Sequence, residues 1–189
     1  MSRVLVPLAE GFEELEAVTI IDLLRRAGVQ VVVAGLGKGP VRGSCGTVIV
    51  PDAPLDAVLG ETFDMVALPG GLPGATNLNA DSRIHDLLRD MAAAGKYTAA
   101  ICAAPKVLAN AGLLRGRRAT SFPGILNDSD GAELAAEAVV RDGTIVTSRG
   151  PGTAMDFALE LVALLEGEAT RHRVESRLQR PAGHGRTVA

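Results

Sequence analysis

Four short apolar runs, each followed by a turn and then by a helical pattern, constrain this chain more tightly than any other feature. Val4 to Ala9 (VLVPLA), Val29 to Gly35 (VQVVVAG), Asp64 to Leu68 (DMVAL) and the run that ends at Ile101-Cys102 are too short for helices and read as buried strands. Glu13 to Ala27 reads as the first helix, with Glu13, Glu14 and Glu16 near its positive end, Arg25 and Arg26 near its negative end, and Gly28 stopping it. Asp81 or Ser82 can cap a helix through about Ala94, Pro105 opens one that stops at Gly112, and a last pair covers Thr153 to about Leu165 and Glu168 to Leu178. Strands alternating with helices predict a doubly wound α/β fold, a mostly parallel sheet with helices on both faces. Ligands of such folds bind beyond the carboxyl ends of the strands, near a switch in strand order. That rule nominates the loops Glu10 to Glu16, Pro69 to Gly74 and Cys102 to Pro105.

The remaining segments read as connections. Val41-Arg42 and Thr47 to Val50 form a small antiparallel excursion with Cys45 near its tip, and Pro51 and Pro54 bracket an exposed connector. Ala138 to Arg141 and Thr144 to Ser148, joined by Asp142-Gly143, carry a β-hairpin signal. Pro7 argues against a central place for the first strand, Ala119 to Phe122 suggests a short strand, and Glu133 to Glu137 reads as a weak helix at most. Thr153 reads as a helix cap with Asp156 returning the bond. One domain over residues 1–180 and a disordered tail over 181–189 are expected.

Composition narrows the partners. A formal charge of -3 supplies no general field for nucleic acid or an anionic membrane, and the arginines Arg171, Arg173, Arg177 and Arg180, interspersed with Glu168 and Glu175, read as a solvated helix face. No apolar run approaches the roughly 18 residues that span a bilayer, and the start runs straight into a strand pattern without room for a signal peptide. Cys45 and Cys102 fit no disulfide framework or thiolate metal spacing, so a reducing cytoplasmic setting is expected, with no metal and no cofactor.

Cys102 is the candidate nucleophile. It stands between a buried strand and a helix opened by Ala103-Ala104-Pro105, where unpaired helix N–H groups stabilise a thiolate and lower its pKa; a packed core cysteine is the alternative. Glu16 shares the apolar stripe of the first helix with Phe12, Ile20, Leu23, Leu24 and Ala27, so its carboxyl should be desolvated, raised in pKa and able to share a proton with a thiolate. Gly70 and Gly71 can bring backbone N–H groups to a developing oxyanion, and Ala103 can add a third. No histidine neighbours Cys102 in sequence; His85, His172 and His184 read as surface residues, which speaks against Cys-His protease chemistry.

The segments PLAEGFEELEAV, RRAGVQVVVAG, LPGG, AAICAAP and SRGPGTAMDFAL together resemble the ThiJ/PfpI superfamily, in the branch of the parkinsonism-associated deglycase and its YajL-like bacterial relatives. The resemblance runs to about Leu178. It implies a flavodoxin-like domain, a homodimer, a reactive cysteine at Cys102, a protonated glutamate at Glu16 bonded to it, and backbone donors at Gly70, Gly71 and Ala103. The activity it implies is that of a cysteine-dependent glyoxalase or deglycase, acting on methylglyoxal, glyoxal or their early adducts on thiols and amines and releasing a 2-hydroxy acid. A redox-responsive chaperone using oxidation of the same cysteine is the alternative. The chain departs from the human member at two points: Ser121-Phe122-Pro123 replaces a histidine near the cysteine, and Cys45 replaces an arginine in the hairpin.

Overall fold

The computed structural model describes residues 1–180. Its first elements are β1 (Arg3–Leu8), α1 (Glu14–Arg26), β2 (Gln30–Gly35), the two-residue strands β3 (Val41–Arg42) and β4 (Val48–Ile49), then β5 (Ala53–Pro54) and β6 (Met65–Leu68). Next come α2 (Gly74–Ala80), α3 (Ser82–Ala93), β7 (Tyr97–Ile101) and α4 (Pro105–Asn110). The chain continues through β8 (Arg118–Ala119), β9 (Glu133–Leu134), β10 (Val139–Asp142), β11 (Ile145–Ser148), α5 (Ala154–Glu166) and α6 (Glu168–Ser176). Expectations for the tail and for His184 fall outside the described residues.

Seven strands make one sheet in the order β10-β11-β7-β6-β1-β2-β5, parallel except for the β10–β11 hairpin. This is the doubly wound architecture that the strand and helix alternation predicts. Side chains alternate across the sheet: Val4, Val6 and Leu8 of β1 join α1 and α5 in one apolar layer, while Leu5 joins Leu68, Leu88 and Leu108 in the other. Strand order reverses at β1, because the chain pairs β2 on one side of it and returns with β6 on the other.

Several elements differ from the sequence reading. β1 is central despite Pro7; its register with β6 is Val4↔Met65 and Leu5↔Val66, which ends before the residue that lacks a donor. The Pro51–Pro54 connector contains β5, which extends the sheet beside β2 through Ala34↔Ala53 and Gly35↔Pro54. Glu133-Leu134 is a strand rather than a weak helix, held by parallel pairing to Arg118-Ala119. Thr153 makes no cap to α5; its hydroxyl instead meets Ser148 Oγ at 2.7 Å and donates to Gly150 O at 3.0 Å. Arg171 is buried against Glu160 rather than solvated, and Arg180 pairs with Asp156 and Glu175. Among the described residues no helix is long and apolar enough to cross a membrane.

Candidate active site

Cys102 lies where β7 leaves the carboxyl edge of the sheet. Its φ is +64°, one of two positive values outside glycine among the described residues, so the backbone makes a sharp elbow at the one residue that carries the thiol. Such a conformation costs on the order of 1–2 kcal/mol and persists only where its surroundings fix it. They do so here: the Cys102 N–H donates to Ser148 O at 3.0 Å, and Cys102 O accepts from the Phe122 N–H at 2.8 Å. The hairpin and the segment after β8 thus clamp the elbow from outside.

Glu16 reaches the same point from α1. Its residue is fully buried, as its place on the apolar stripe of α1 predicts. Glu13 caps the helix by accepting from the Glu16 N–H at 2.7 Å, and that cap fixes where the Glu16 side chain starts. Oε2 of Glu16 accepts from the Gly70 N–H at 2.8 Å, while Oε1 is buried with no hydrogen-bond partner of normal geometry. A side chain at residue 70 would not fit, since a Cβ there would stand 2.7 Å from Cys102 Cβ and 2.9 Å from Glu16 Oε2. The absent Cβ is what lets the acid and the thiol approach each other.

Burial raises the Glu16 carboxyl to about 7 against the bond from Gly70. Burial likewise pushes the thiol up, to about 12 when the neighbouring carboxylate is charged, with opposing N–H groups of Gly71 and Ala103 aimed at the sulfur. The expected lowering of the Cys102 pKa by a helix terminus is therefore not found: α4 is only six residues long, and desolvation beside an acid outweighs it. Two buried acids in contact share their protons, and the ionisations belong to the pair. The first proton leaves the pair near 7, and the resulting single negative charge faces the Gly71 and Ala103 donors on the sulfur side and the Gly70 donor on the carboxyl side.

Two of the three nominated oxyanion donors point at the thiol. Gly71 and Ala103 face the sulfur, whereas the Gly70 N–H is already committed to Glu16 and serves to place the acid. Gly71 has φ +90°, and a Cβ there would stand 2.4 Å from Glu13 N. Only glycine supports that close crossing of the β1 and β6 loops.

Residues 2–164 match the sequence profile of the DJ-1/PfpI family. The chain belongs to the DJ-1/PfpI family. Protein dj-1beta of Drosophila melanogaster is 44% identical over 167 residues, covering 87% of this chain and 89% of that one. Its crystal structure superposes with a TM-score of 0.89, over 96% of this chain and 100% of that chain, at 41% identity. A Caenorhabditis elegans relative named glutathione-independent glyoxalase DJR-1.2 is 38% identical over 159 residues, covering 84% of this chain and 85% of its own.

Further residues of this DJ-1/PfpI family chain reach the site, Phe122 and Gly150 from segments that the family resemblance marks and Lys106 with no signal in the sequence. Phe122 is half exposed, and a Cβ at Gly150 would stand 3.3 Å from its ring and 3.9 Å from Cys102 Sγ. Phe122 and Gly150 therefore wall the thiol on one side. Lys106 lines a cavity next to Ala103. Of the two histidines among the described residues, His85 bonds Asn79 O through Nε2 at 2.7 Å and His172 is exposed. Cys45 is exposed on the β3–β4 excursion.

Proposed function

We propose that the protein is a cysteine-dependent glyoxalase or deglycase that converts 2-oxoaldehydes, or their early adducts on thiols and amines, to 2-hydroxy acids. The observation that carries this reading is the juxtaposition at one sheet edge of an elbow thiol and a buried carboxyl bridged by a side-chain-free Gly70. The name of the Caenorhabditis elegans relative, glutathione-independent glyoxalase DJR-1.2, points the same way.

The chemistry follows from the proton count. In the pair that has lost one proton, transfer of the remaining proton to Glu16 leaves a thiolate held by the Gly71 and Ala103 N–H groups. The thiolate adds to the aldehyde carbon of methylglyoxal, forming an S–C bond as the carbonyl electrons move to oxygen. Sulfur becomes a neutral thioether and a poor acceptor, so its two N–H donors are released to the new oxyanion. Glu16 protonates that oxyanion to a hemithioacetal, and its carboxylate then takes the hydrogen from the former aldehyde carbon. Glu16 delivers that proton to the neighbouring carbonyl carbon while the hydroxyl proton on the first carbon passes to the oxygen of the second, so the first carbon is oxidised, the second is reduced, and a 2-hydroxy thioester results. Water cleaves the thioester, and lactate and the Cys102 thiol leave; the sum is methylglyoxal plus water to lactic acid. The sequence draws on no cofactor. A homodimer in the reducing cytoplasm is part of the same reading, supported by exposed Leu15 and Val18 on α1 and Met155 on α5.

A second reading rests on the unsatisfied Glu16 Oε1. Two equivalents of peroxide would each transfer one oxygen to Cys102 and leave as water, and a protonated carboxyl would bond the resulting sulfinate, as in a redox-responsive chaperone. One experiment separates them: lactate formation from methylglyoxal, and client aggregation with and without mild peroxide, for wild type, Cys102→Ala and Glu16→Gln. Lactate formation is expected to vanish in Cys102→Ala and to fall about a hundredfold or more in Glu16→Gln. Turnover retained in Cys102→Ala sinks the covalent mechanism, and absent turnover combined with peroxide-dependent client protection selects the chaperone.

A further inference from the structure

The cavity beside Cys102 holds about 270 Å³ and is lined among others by Leu72, Ala75, Asn79, Ala103, Lys106 and Ile125. Two of these residues connect it to the reacting sulfur. Ala103 sends its N–H to the sulfur, and Leu72 follows Gly71, the other donor. The cavity thus adjoins the backbone whose N–H groups face the sulfur. Its walls are apolar at Leu72, Ala75 and Ile125 and polar at Asn79, and Lys106 is the one charged residue in the lining.

Lys106 is held in the lining by an ion pair. Its Nζ donates to Asp130 Oδ1 at 2.6 Å, while Asp130 Oδ2 accepts from the Asn127 N–H at 2.9 Å in the turn that carries it. The acid is almost covered, with a side-chain exposure of 7%, whereas the lysine remains 36% exposed. An ammonium has three donors, and this ion pair uses one. The aspartate therefore anchors the cation at the cavity without exhausting it, and it also cancels part of its field.

We propose that this cavity is the subsite for the thiol or amine half of a glycated adduct, and that Lys106 selects adducts bearing a carboxylate, such as those of amino acids and acidic thiols. This rests on the reaction proposed above for the choice of ligand, but the anion preference itself is a property of the thiol's surroundings. It is measured without turnover, by the rate at which Cys102 is alkylated by iodoacetate, which places a carboxylate on the attacked carbon, relative to neutral iodoacetamide. Replacing Cys45 by Ser confines the reaction to Cys102. The iodoacetate-to-iodoacetamide rate ratio is expected to fall about threefold in Lys106→Met, to be kept in Lys106→Arg, and to rise in Asp130→Asn, where the competing charge is gone. A lysine that merely holds the loop would change both rates alike; a ratio unmoved in Lys106→Met, or moved the same way by Asp130→Asn, overturns the proposal. If the ratio responds as expected while methylglyoxal is not consumed, the anion subsite stands and the glyoxalase reaction falls. If methylglyoxal is consumed and the ratio does not respond, the reaction stands and the subsite falls.

Discussion

Glu16 makes its site at a cost to the fold, and the cost has a pH signature. Its carboxyl titrates near 7 in the folded protein and near 4.5 when solvated. Raising an acid's folded pKa means that the folded state binds the proton more tightly than the unfolded chain. The stability associated with the protonated group is fully present below about 4.5 and is lost as pH rises through about 7. Glutamine keeps the shape and an oxygen for the Gly70 N–H but cannot ionise. Glu16→Gln should therefore gain thermal stability relative to wild type as pH rises from 4.5 to 8, read as the difference between their unfolding midpoints. A difference that stays constant with pH would show that the buried carboxyl does not titrate in this range. The acid itself was legible in the sequence because one helical stripe held Phe12, Ile20 and Leu24 with it. Its effect on the thiol was not, because helix position reports burial and does not report which buried group stands opposite.

At the scale of elements, α1 does more than deliver Glu16. Glu14, two residues earlier, accepts from the Cys45 N–H at 2.7 Å, the Thr47 N–H at 3.1 Å and the Ser44 hydroxyl at 3.2 Å, and these bonds hold its carboxyl below the usual range although burial opposes them. The β3–β4 excursion has only two residues in each strand, so this carboxylate supplies much of its anchoring. Glu14→Ala should lower hydrogen-exchange protection of the Cys45 and Thr47 amides by about tenfold while leaving the amides of β1 and β7 unchanged. Equal loss everywhere would place the effect in global stability instead. Sequence patterns located long helices and buried strands because burial imposes a period on them. They missed α2, whose residues Gly74 to Ala80 have weak helical preference; it is fixed by Leu78 in the core and by Gly74, where a Cβ would stand 2.6 Å from Phe12 N. They also missed β9, which exists only because a partner strand far away in sequence pairs with it.

For the molecule as a whole, the doubly wound sheet explains why a site assembled from residues 16, 70, 71, 102 and 103 was visible before the structure: the rule about carboxyl-end loops collects them without knowledge of any contact. Phe122 and Lys106 escaped it because the loop after β8 and the face of α4 are set by tertiary packing. The same whole-molecule view concerns assembly. Helix α1 buries one stripe in the core yet leaves Leu15 52% and Val18 48% exposed, and Met155 of α5 is 43% exposed. Leu15 and Met155 line one cleft with Pro151 and Gly152, immediately after the Gly150 that walls the thiol. Apolar side chains gathered there would gain from exclusion of water by a second copy, at about 25 cal/mol per Å² of surface covered. The protein should therefore sediment as a dimer, and Leu15→Asp combined with Met155→Asp should shift it to monomer, because two unpaired carboxylates would have to be desolvated in each copy. Neither substitution touches the core face of its helix, so the monomer should unfold cooperatively, with circular dichroism like that of wild type. Because the cleft adjoins the Gly150 loop, the monomer should also alkylate Cys102 at a changed rate if the second copy bears on that loop. A wild-type protein that sediments as a monomer at micromolar concentration would reject this face as a stable interface.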